Sequence, residues 1–393
     1  MIWTLIHIID LMLWLFIAGS VMYVFFFALV ATFHRKKRNI TVKRQPPVNN
    51  RFAILFPAYH EDAVIKTSID NILRQDYPKD LYDVIVVSDH MSEETNTWLK
   101  SRPLIVFTPQ FEISSKARSM QYAISNLDKD YNYIVILDAD NIVEEKFLIQ
   151  LNEVCNQGYR AIQCHRCAKN HDNDIAILDG ISEEINNTIF RRAHNYIGLS
   201  SALIGSGMCF SYQWFMDNVD KLSTAGEDRE LEVLLIEQNI HIRYEENVPV
   251  YDEKVSNADN FQRQRLRWMT AQIQCLLIML PHTLAAIKDK NINFVDKTIQ
   301  QALIPRSILI VITLLMAIGM NVFINAWGTK WLILAFILCA SVVLSIPPYM
   351  RKQSFLRKVV RLPGLTWKML LNLRKIDKKS TEFIHTEHKD KCV

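Results

Sequence analysis

Apolar residues gather in this chain in two kinds of run, long ones near the ends and short ones in the middle. From Leu11 to Phe33 no position is charged, and a helix of that length crosses a hydrocarbon core of ~30 Å. Two later runs, Ser307 to Trp327 and Trp331 to Tyr349, flank Gly328-Thr329-Lys330, and the spacing predicts a helical hairpin turning there. Between Met269 and Ile287 the uninterrupted apolar stretch is shorter and ends at Pro281. A span needs ~20 apolar residues, so this stretch is expected to lie on the membrane surface as an amphipathic helix.

The middle of the chain has a different rhythm. From Arg51 onward, short apolar runs (FAILF, DVIVVSD, LIVFT, YIVILDAD) alternate with helical patterns around Ile65 to Leu73, Ser92 to Lys100 and Ser115 to Leu127. Strands apolar throughout, each followed by a crossover helix, predict an α/β fold with a mostly parallel, doubly wound, Rossmann-like sheet covered on both faces. Ligands of such sheets sit beyond the carboxyl ends of the strands. There the polar residues fall: Pro57 to Glu61 after the first run, Ser88-Asp89-His90 after the second, and Asp138-Ala139-Asp140 after the fourth.

Charge and cysteine content refine this outline. The 393 residues carry a net charge of only +4, and the basic residues collect beside the apolar runs rather than along a recognition helix, which excludes a nucleic-acid partner. His34-Arg35-Lys36-Lys37-Arg38 follows the first span and Arg351, Lys352, Arg357 and Lys358 follow the last. The positive-inside rule then places the N-terminus outside and the central domain and C-terminus in the cytosol, with the chain integral to a cell membrane of the bacterial inner-membrane type. Seven scattered cysteines fit a reducing compartment. The expected divisions are a first span (1–34), a basic linker (35–50), a cytosolic domain (51–268), an interfacial region (269–306), a hairpin (307–350) and a basic tail (351–393).

Three clusters carry candidate chemistry. Asp138 and Asp140, two apart at or just beyond a strand, point their carboxylates to one side, and such a pair calls for a hard divalent cation, Mg²⁺ or Mn²⁺. Glu227-Asp228 opens a helical pattern at Leu231, Leu234 and Leu235; carboxylates there favour the helix dipole, and Asp228 is also the candidate general base. Gln264, Arg267 and Trp268 share a helical segment that offers an amide, a guanidinium suited to a diphosphate, and a flat ring suited to a sugar. A basic helix resting on anionic lipid explains the same pentapeptide equally well.

In order, Pro57 to Glu61, Asp89, Lys116, Asp138-Ala139-Asp140, Gly205-Ser206-Gly207, Glu227-Asp228 and Gln264-x-x-Arg267-Trp268 resemble the motif set of membrane-embedded family 2 glycosyltransferases, the group of cellulose, chitin and hyaluronan synthases. The resemblance covers roughly Arg51 to Gln274 and the flanking spans. It implies a GT-A fold and inverting transfer from a nucleotide diphosphate sugar, usually a UDP-sugar, to a growing polysaccharide. By the same resemblance Glu61 and Asp89 contact the nucleotide, Lys116 and Asp138 contact the donor, Asp140 binds the metal and Asp228 is the base. Gly205, Ser206 and Gly207, with Glu227, border the acceptor, while Gln264 and Arg267 hold the diphosphate and Trp268 the acceptor end. Phe383-Ile384-His385-Thr386 is similar to a segment that closes over the donor in some relatives.

The large synthases have more C-terminal spans than the single hairpin here. Export is therefore expected to need a homo-oligomer or an export or partner subunit, and single transfer to a lipid-linked acceptor is the alternative. A non-catalytic scaffold would have lost a reactive carboxylate, whereas every one is present. A transporter is disfavoured because the three runs read as spans contain no Asp or Glu. Cys164-His165-Arg166-Cys167, with His171 nearby, lacks a second Cys-x-x-Cys, and strand alternation would send its two thiols to opposite faces, so it is not read as a zinc site. The sequon Asn186-Asn187-Thr188 faces the cytosol in this topology and goes unused.

Overall fold

The structure, a computed structural model, describes residues 2–33, 48–171, 173–224, 226–255, 258–323 and 325–350. The basic tail and the Phe383 to Thr386 segment lie outside the described residues, as does most of the basic linker. Eight strands form one sheet: β1 (Phe52–Tyr59), β2 (Tyr82–Asp89), β3 (Ile105–Phe107), β4 (Tyr133–Ile136), β5 (Ile142–Val143), β6 (Ala161–Ala168), β7 (Met208–Ser211) and β8 (Ile242–Asp252), in the order β3-β2-β1-β4-β7-β6-β8-β5. The helices in chain order are α1 (Ile2–Phe33), α2 (Ile65–Ile72), α3 (Glu93–Lys100), α4 (Lys116–Ser125), α5 (Phe147–Cys155), α6 (Asp174–Asn186), α7 (His194–Tyr196), α8 (Tyr212–Val219), α9 (Glu227–Glu237), α10 (Ala258–Met279), α11 (Thr283–Lys288), α12 (Ile292–Ala302), α13 (Arg306–Phe323) and α14 (Asn325–Ser345).

The apolar runs of the first half do form parallel strands. Alternation sends Ala53, Leu55, Ile85, Val87, Ile134 and Ile136 to one face, where they pack with Ala117 and Met120 of α4 and Phe215 of α8. Phe52, Ile54, Phe56, Val84, Val86 and Val135 go to the other, against Ile65 and Ile69 of α2 and Leu148 and Leu151 of α5. Covering both faces is what makes uninterrupted apolar strands stable in water.

Beyond β4 the sheet changes character. β7 runs antiparallel to both β4 and β6, β8 is parallel to β6, and β5 is antiparallel to β8. The sheet is mixed, and only its β3-β2-β1-β4 half is wholly parallel. The chain leaves β1 and β2 through His60 (φ 54°) and His90 (φ 53°), two left-handed residues that turn it sharply at the rim where ligands of such sheets bind.

Among the described residues, three helices are long and apolar enough to cross a membrane: Trp3–Phe33, Asn260–Lys288 and Trp327–Ser345. Ile292–Ala302 and Arg306–Val322 meet the same measure only as a pair, bent by 57°. The stretch from Met269 to Ile287, expected to lie on a surface, thus sits in a helix long enough to span. Ile17, Val21, Leu309, Ala317, Trp331 and Leu338 form a shared core between α1, α13 and α14.

Two expectations about these helices are corrected. Gly328-Thr329-Lys330 is helical within α14, whose described residues begin at Asn325. A Cβ on Gly328 would meet the Asn321 carboxamide at 2.3 Å, so the glycine permits close approach rather than a turn. The first apolar helix begins well before Leu11 and therefore contains a charge. Asp10, buried, pairs with Lys330 and accepts a hydrogen bond from Trp331 Nε1 at 2.8 Å, so the charge ties α1 to α14.

Candidate active site

The carboxyl ends of β1 and β4 and the starts of α4, α9 and α10 enclose a cavity of about 420 Å³. Glu61, Lys116, Asp138, Asp140, Gly205, Glu227, Asp228, Gln264, Arg267 and Trp268 all line it. At its far end the lining passes to Val24 of α1 and to Leu303, Ile304 and Ser307 around the start of α13. One continuous space therefore runs from the polar sheet edge to the apolar helices.

Strand β4 stops at Ile136, and the turn that follows presents the two aspartates. Asn141 locks this turn, since its Oδ1 accepts from the Asp138 N–H at 2.9 Å and its own N–H donates to the Asp138 carbonyl at 3.0 Å. Asp138 pairs with Lys116, the first residue of α4, which also donates to the Gly205 carbonyl at 2.6 Å and lies 3.7 Å from Glu227 Oε1. Burial works against the Lys116 ammonium, yet Asp138 and Glu227 overcome this and hold its pKa above the ordinary value. Burial pushes the Glu227 carboxyl up to about 7 against the pull of Lys116, and the like charge of Asp228 adds to the rise.

Asp140 is buried at the cavity wall, accepting from the Glu253 N–H at 2.8 Å and from Asn141 Nδ2 at 3.1 Å. Asp138, Asp140 and Glu253 give this wall hard oxygen donors of the kind Mg²⁺ or Mn²⁺ takes. Mg²⁺ is normally held by one or two carboxylates, with substrate phosphates and water completing its shell. The donor set fits that pattern, with Asp140 as the side chain that would hold the ion.

Gly226 caps α9, and a Cβ there would meet Ala271 Cβ at 3.1 Å, so its lack of a side chain lets α9 and α10 approach closely enough to bring both clusters to one cavity. Asp228 is half-buried, its Oδ1 accepting from the Arg229 N–H at 2.9 Å. On α10, Gln264 Oε1 is buried with no hydrogen-bond partner among the described residues. Burial lowers the pKa of Arg267, partly offset by Glu227, Asp138 and Asp228. Arg265 pairs with Asp179 of α6 and stacks on Trp268, its guanidinium 4.5 Å from the ring centroid, so a cation covers one face of that indole.

Three expected residues do not line the cavity. Asp89 is fully buried at the end of β2, with Oδ1 2.6 Å from His90 Nδ1 and Oδ2 lacking a partner among the described residues. Ser206 is buried and donates to Asn141 Oδ1. Gly207 (φ 65°) pairs with β4 through its N–H to the Ile136 carbonyl at 2.9 Å, and a Cβ there would meet Val250 at 3.1 Å. Of that turn only Gly205 borders the space. Conversely, Arg166 and Glu253 line the cavity without having been expected there. The acidic end of β8, Asp252-Glu253, was the available signal for Glu253, of the same kind as the ends of β1, β2 and β4.

The chain belongs to the family described as Glycosyltransferase like family 2, whose sequence pattern matches residues 47–271. Among solved structures it is similar to a mannosyltransferase, PcManGT from Pyrobaculum calidifontis in complex with GDP-Man and Mn²⁺, with 16% identity over 84% of this chain and 97% of that one and a TM-score of 0.51. S. aureus TarS 1-349 in complex with UDP-GlcNAc overlaps less well, at 13% identity over 86% of this chain and 100% of that one, with a TM-score of 0.44. No curated protein sequence matches the chain significantly.

Proposed function

We propose that this protein is a membrane-bound, inverting glycosyltransferase that takes a nucleotide diphosphate sugar, of the UDP-sugar type, from the cytosol and adds its sugar to a growing polysaccharide. The observation that carries this reading is the single cavity in which Lys116, Asp138, Asp140, Asp228, Gln264 and Arg267 meet residues of apolar helices. Glu61 takes the nucleotide, with Asp89 holding the adjacent His90 rather than reaching the cavity, and the buried orphan Oε1 of Gln264 is a polar atom that a donor would satisfy. Lys116 and Arg267 hold the diphosphate. When bound, a divalent ion at Asp140 supplies Lewis-acid stabilisation of the leaving charge.

Asp228 removes the proton of the acceptor hydroxyl as that oxygen bonds to the anomeric carbon and the bond to the diphosphate breaks on the opposite side, which inverts the configuration. Glu227 and Gly205 border the acceptor, with Ser206 and Gly207 fixing the turn from behind, and Trp268 in the cavity lining meets the acceptor end. The first half of α10 faces the cavity while Leu277, Ile278, Leu280, Leu284 and Ile287 beyond it are exposed, which favours an interfacial helix over a span. Export of a polymer then requires a second copy or a partner subunit.

The apolar lining by Val24, Leu178, Phe190, Phe261 and Ile304 favours a second reading, single transfer to a lipid-linked acceptor arriving from the bilayer. Product length from purified membranes given a panel of nucleotide sugars separates the two. A ladder of products is expected; one added residue with every donor sinks the polymer reading, and no transfer from any donor sinks both.

A further inference from the structure

Behind the cavity, between β6 and α6, a second cluster takes no part in the chemistry above. A register irregularity between Cys164 and His165 re-aims β6, leaving Cys164 fully buried in the core while His165 and Cys167 are only partly covered. Glu184 of α6, buried, reaches the same spot, its Oε1 3.2 Å from His165 Nε2. The ligand atoms of His165, Cys167 and Glu184 lie within 4.8 Å of one another. The other ring nitrogen, His165 Nδ1, is hydrogen-bonded to the hydroxyl of Tyr244 on β8.

We propose that His165, Cys167 and Glu184 form a zinc-binding site, distinct from the oxygen-lined site at Asp138 and Asp140. A nitrogen, a sulfur and one carboxylate oxygen are a borderline-soft set that Zn²⁺ takes and Mg²⁺ does not. Charge supports the assignment, since a thiolate and a carboxylate neutralise a divalent ion and neutral imidazole adds nothing, leaving an uncharged site beside the buried Glu184. Tyr244 supplies the outer hydrogen bond that commonly fixes the tautomer of a metal-bound histidine. Zinc–ligand bonds of roughly 2.0–2.3 Å draw tetrahedral ligands closer than the present spread, a small side-chain adjustment. The thiols of the Cys-x-x-Cys run do face apart, as alternation requires; the further ligand comes from a helix distant in sequence.

The site would clamp β6 to α6. Arg166, between the two β6 ligands, lines the cavity, and so do Ser182 and Asn186 of α6, whose Ile181 and Ile185 pack with Val24 and Phe27 of α1. A bound ion thereby fixes the distance between the cavity wall and the first apolar helix.

Full-length protein in detergent, stripped with chelator and titrated with Co²⁺ as the probe, tests this. The expected result is a sulfur-to-cobalt charge-transfer absorption that saturates at one equivalent, that Cys167→Ser abolishes and that Asp140→Asn leaves intact. Tyr244→Phe should weaken the binding ~10- to 100-fold. In the unaltered protein, which removes any question of folding, Zn²⁺ should protect Cys167 from alkylation as mapped by mass spectrometry. Absence of the charge-transfer band, its persistence in Cys167→Ser, or alkylation of Cys167 unchanged by Zn²⁺ overturns the proposal. None of these outcomes bears on sugar transfer.

Discussion

Lys116 Nζ stands 3.7 Å from Glu227 Oε1, so one buried ammonium joins the acidic turn after β4 to the start of α9. The two ends of that bridge, Asp138 and Glu227, are 89 residues apart in sequence, and the Gly205 carbonyl at 2.6 Å from the same Nζ adds a third segment. Replacing Lys116 by Met keeps the length of the side chain and removes its charge, which strands Asp138 and Glu227 beside each other. Transfer is expected to fall ~10²-fold or more, as it does when one charge-stabilising donor is removed from a reaction centre. Steady-state kinetics with varied donor measure this; an unchanged kcat/KM refutes the bridging role.

The Glu227 carboxyl, pushed up to about 7 by burial, implies a pH dependence. Below that pH it is protonated, and its charge contact with Lys116 is gone; above it the carboxylate is present to receive the acceptor. The kcat/KM for the acceptor is therefore expected to rise as pH passes through about 7, because this ratio reports groups of the free enzyme. Glu227→Gln should flatten that limb. A limb that persists unchanged in the variant belongs to another group.

The two neighbouring carboxylates should separate on mutation. Asp228→Asn is expected to lower kcat ~10²- to 10⁴-fold with little change in donor affinity, the ordinary contribution of a placed base. Glu227→Gln should act chiefly through the KM for the acceptor. Equal kcat effects from both variants would mean that the base is shared or misassigned.

The first half of the sheet was legible because each parallel strand is an unbroken apolar run ending in a polar turn. Asp138-Ala139-Asp140 was legible for the same reason, lying just beyond the apolar run of β4, and Glu227-Asp228 was legible because it opens the helical pattern of α9. The second half was not. β6 and β8 mix polar and apolar positions, and their register is interrupted at Cys164 and His165, so Arg166 and Glu253 gave no periodic signal of facing a cavity. Glu184 could not be tied to His165 because their approach depends on how α6 packs. Gly328 was read as a turn because a glycine between two apolar runs has that meaning by default; here it answers to the nearness of Asn321.

Gly226 supports the site without touching any reacting atom. A methyl group there meets Ala271 Cβ at 3.1 Å, so Gly226→Ala must move α10 by a few tenths of an ångström or more. Arg267 and Gln264 move with it, away from the diphosphate. The expected result is a rise in donor KM with folding preserved, and Gly226→Ala combined with Ala271→Gly should recover much of the loss. Failure of that rescue would place the defect in the backbone of the loop rather than in the contact between α9 and α10.

Stability should depend on a charge network beneath the cavity floor. Glu183 of α6 accepts from Arg191 Nη1 at 2.8 Å and lies 3.9 Å from Lys254 Nζ, with all three side chains at 3% exposure. Burial alone would raise its pKa, but Arg191, Lys254 and Arg166 outweigh burial and bring it down to about 2 from 4.5. The unfolded chain therefore binds this proton more readily than the folded one does. The stabilisation is complete above about pH 4.5 and drains away as pH falls toward about 2. Glu183→Gln leaves the buried Arg191 short of a counter-charge, while Lys254 keeps Asp252 at 2.9 Å, and removal of one partner from a buried pair costs roughly 3–5 kcal/mol. Thermal unfolding in detergent at neutral pH should show this variant well below the unaltered protein, and the gap should shrink on acidification through the same window. A gap that stays constant down to pH 3 would attribute the loss to packing and leave the charge of Glu183 without a role.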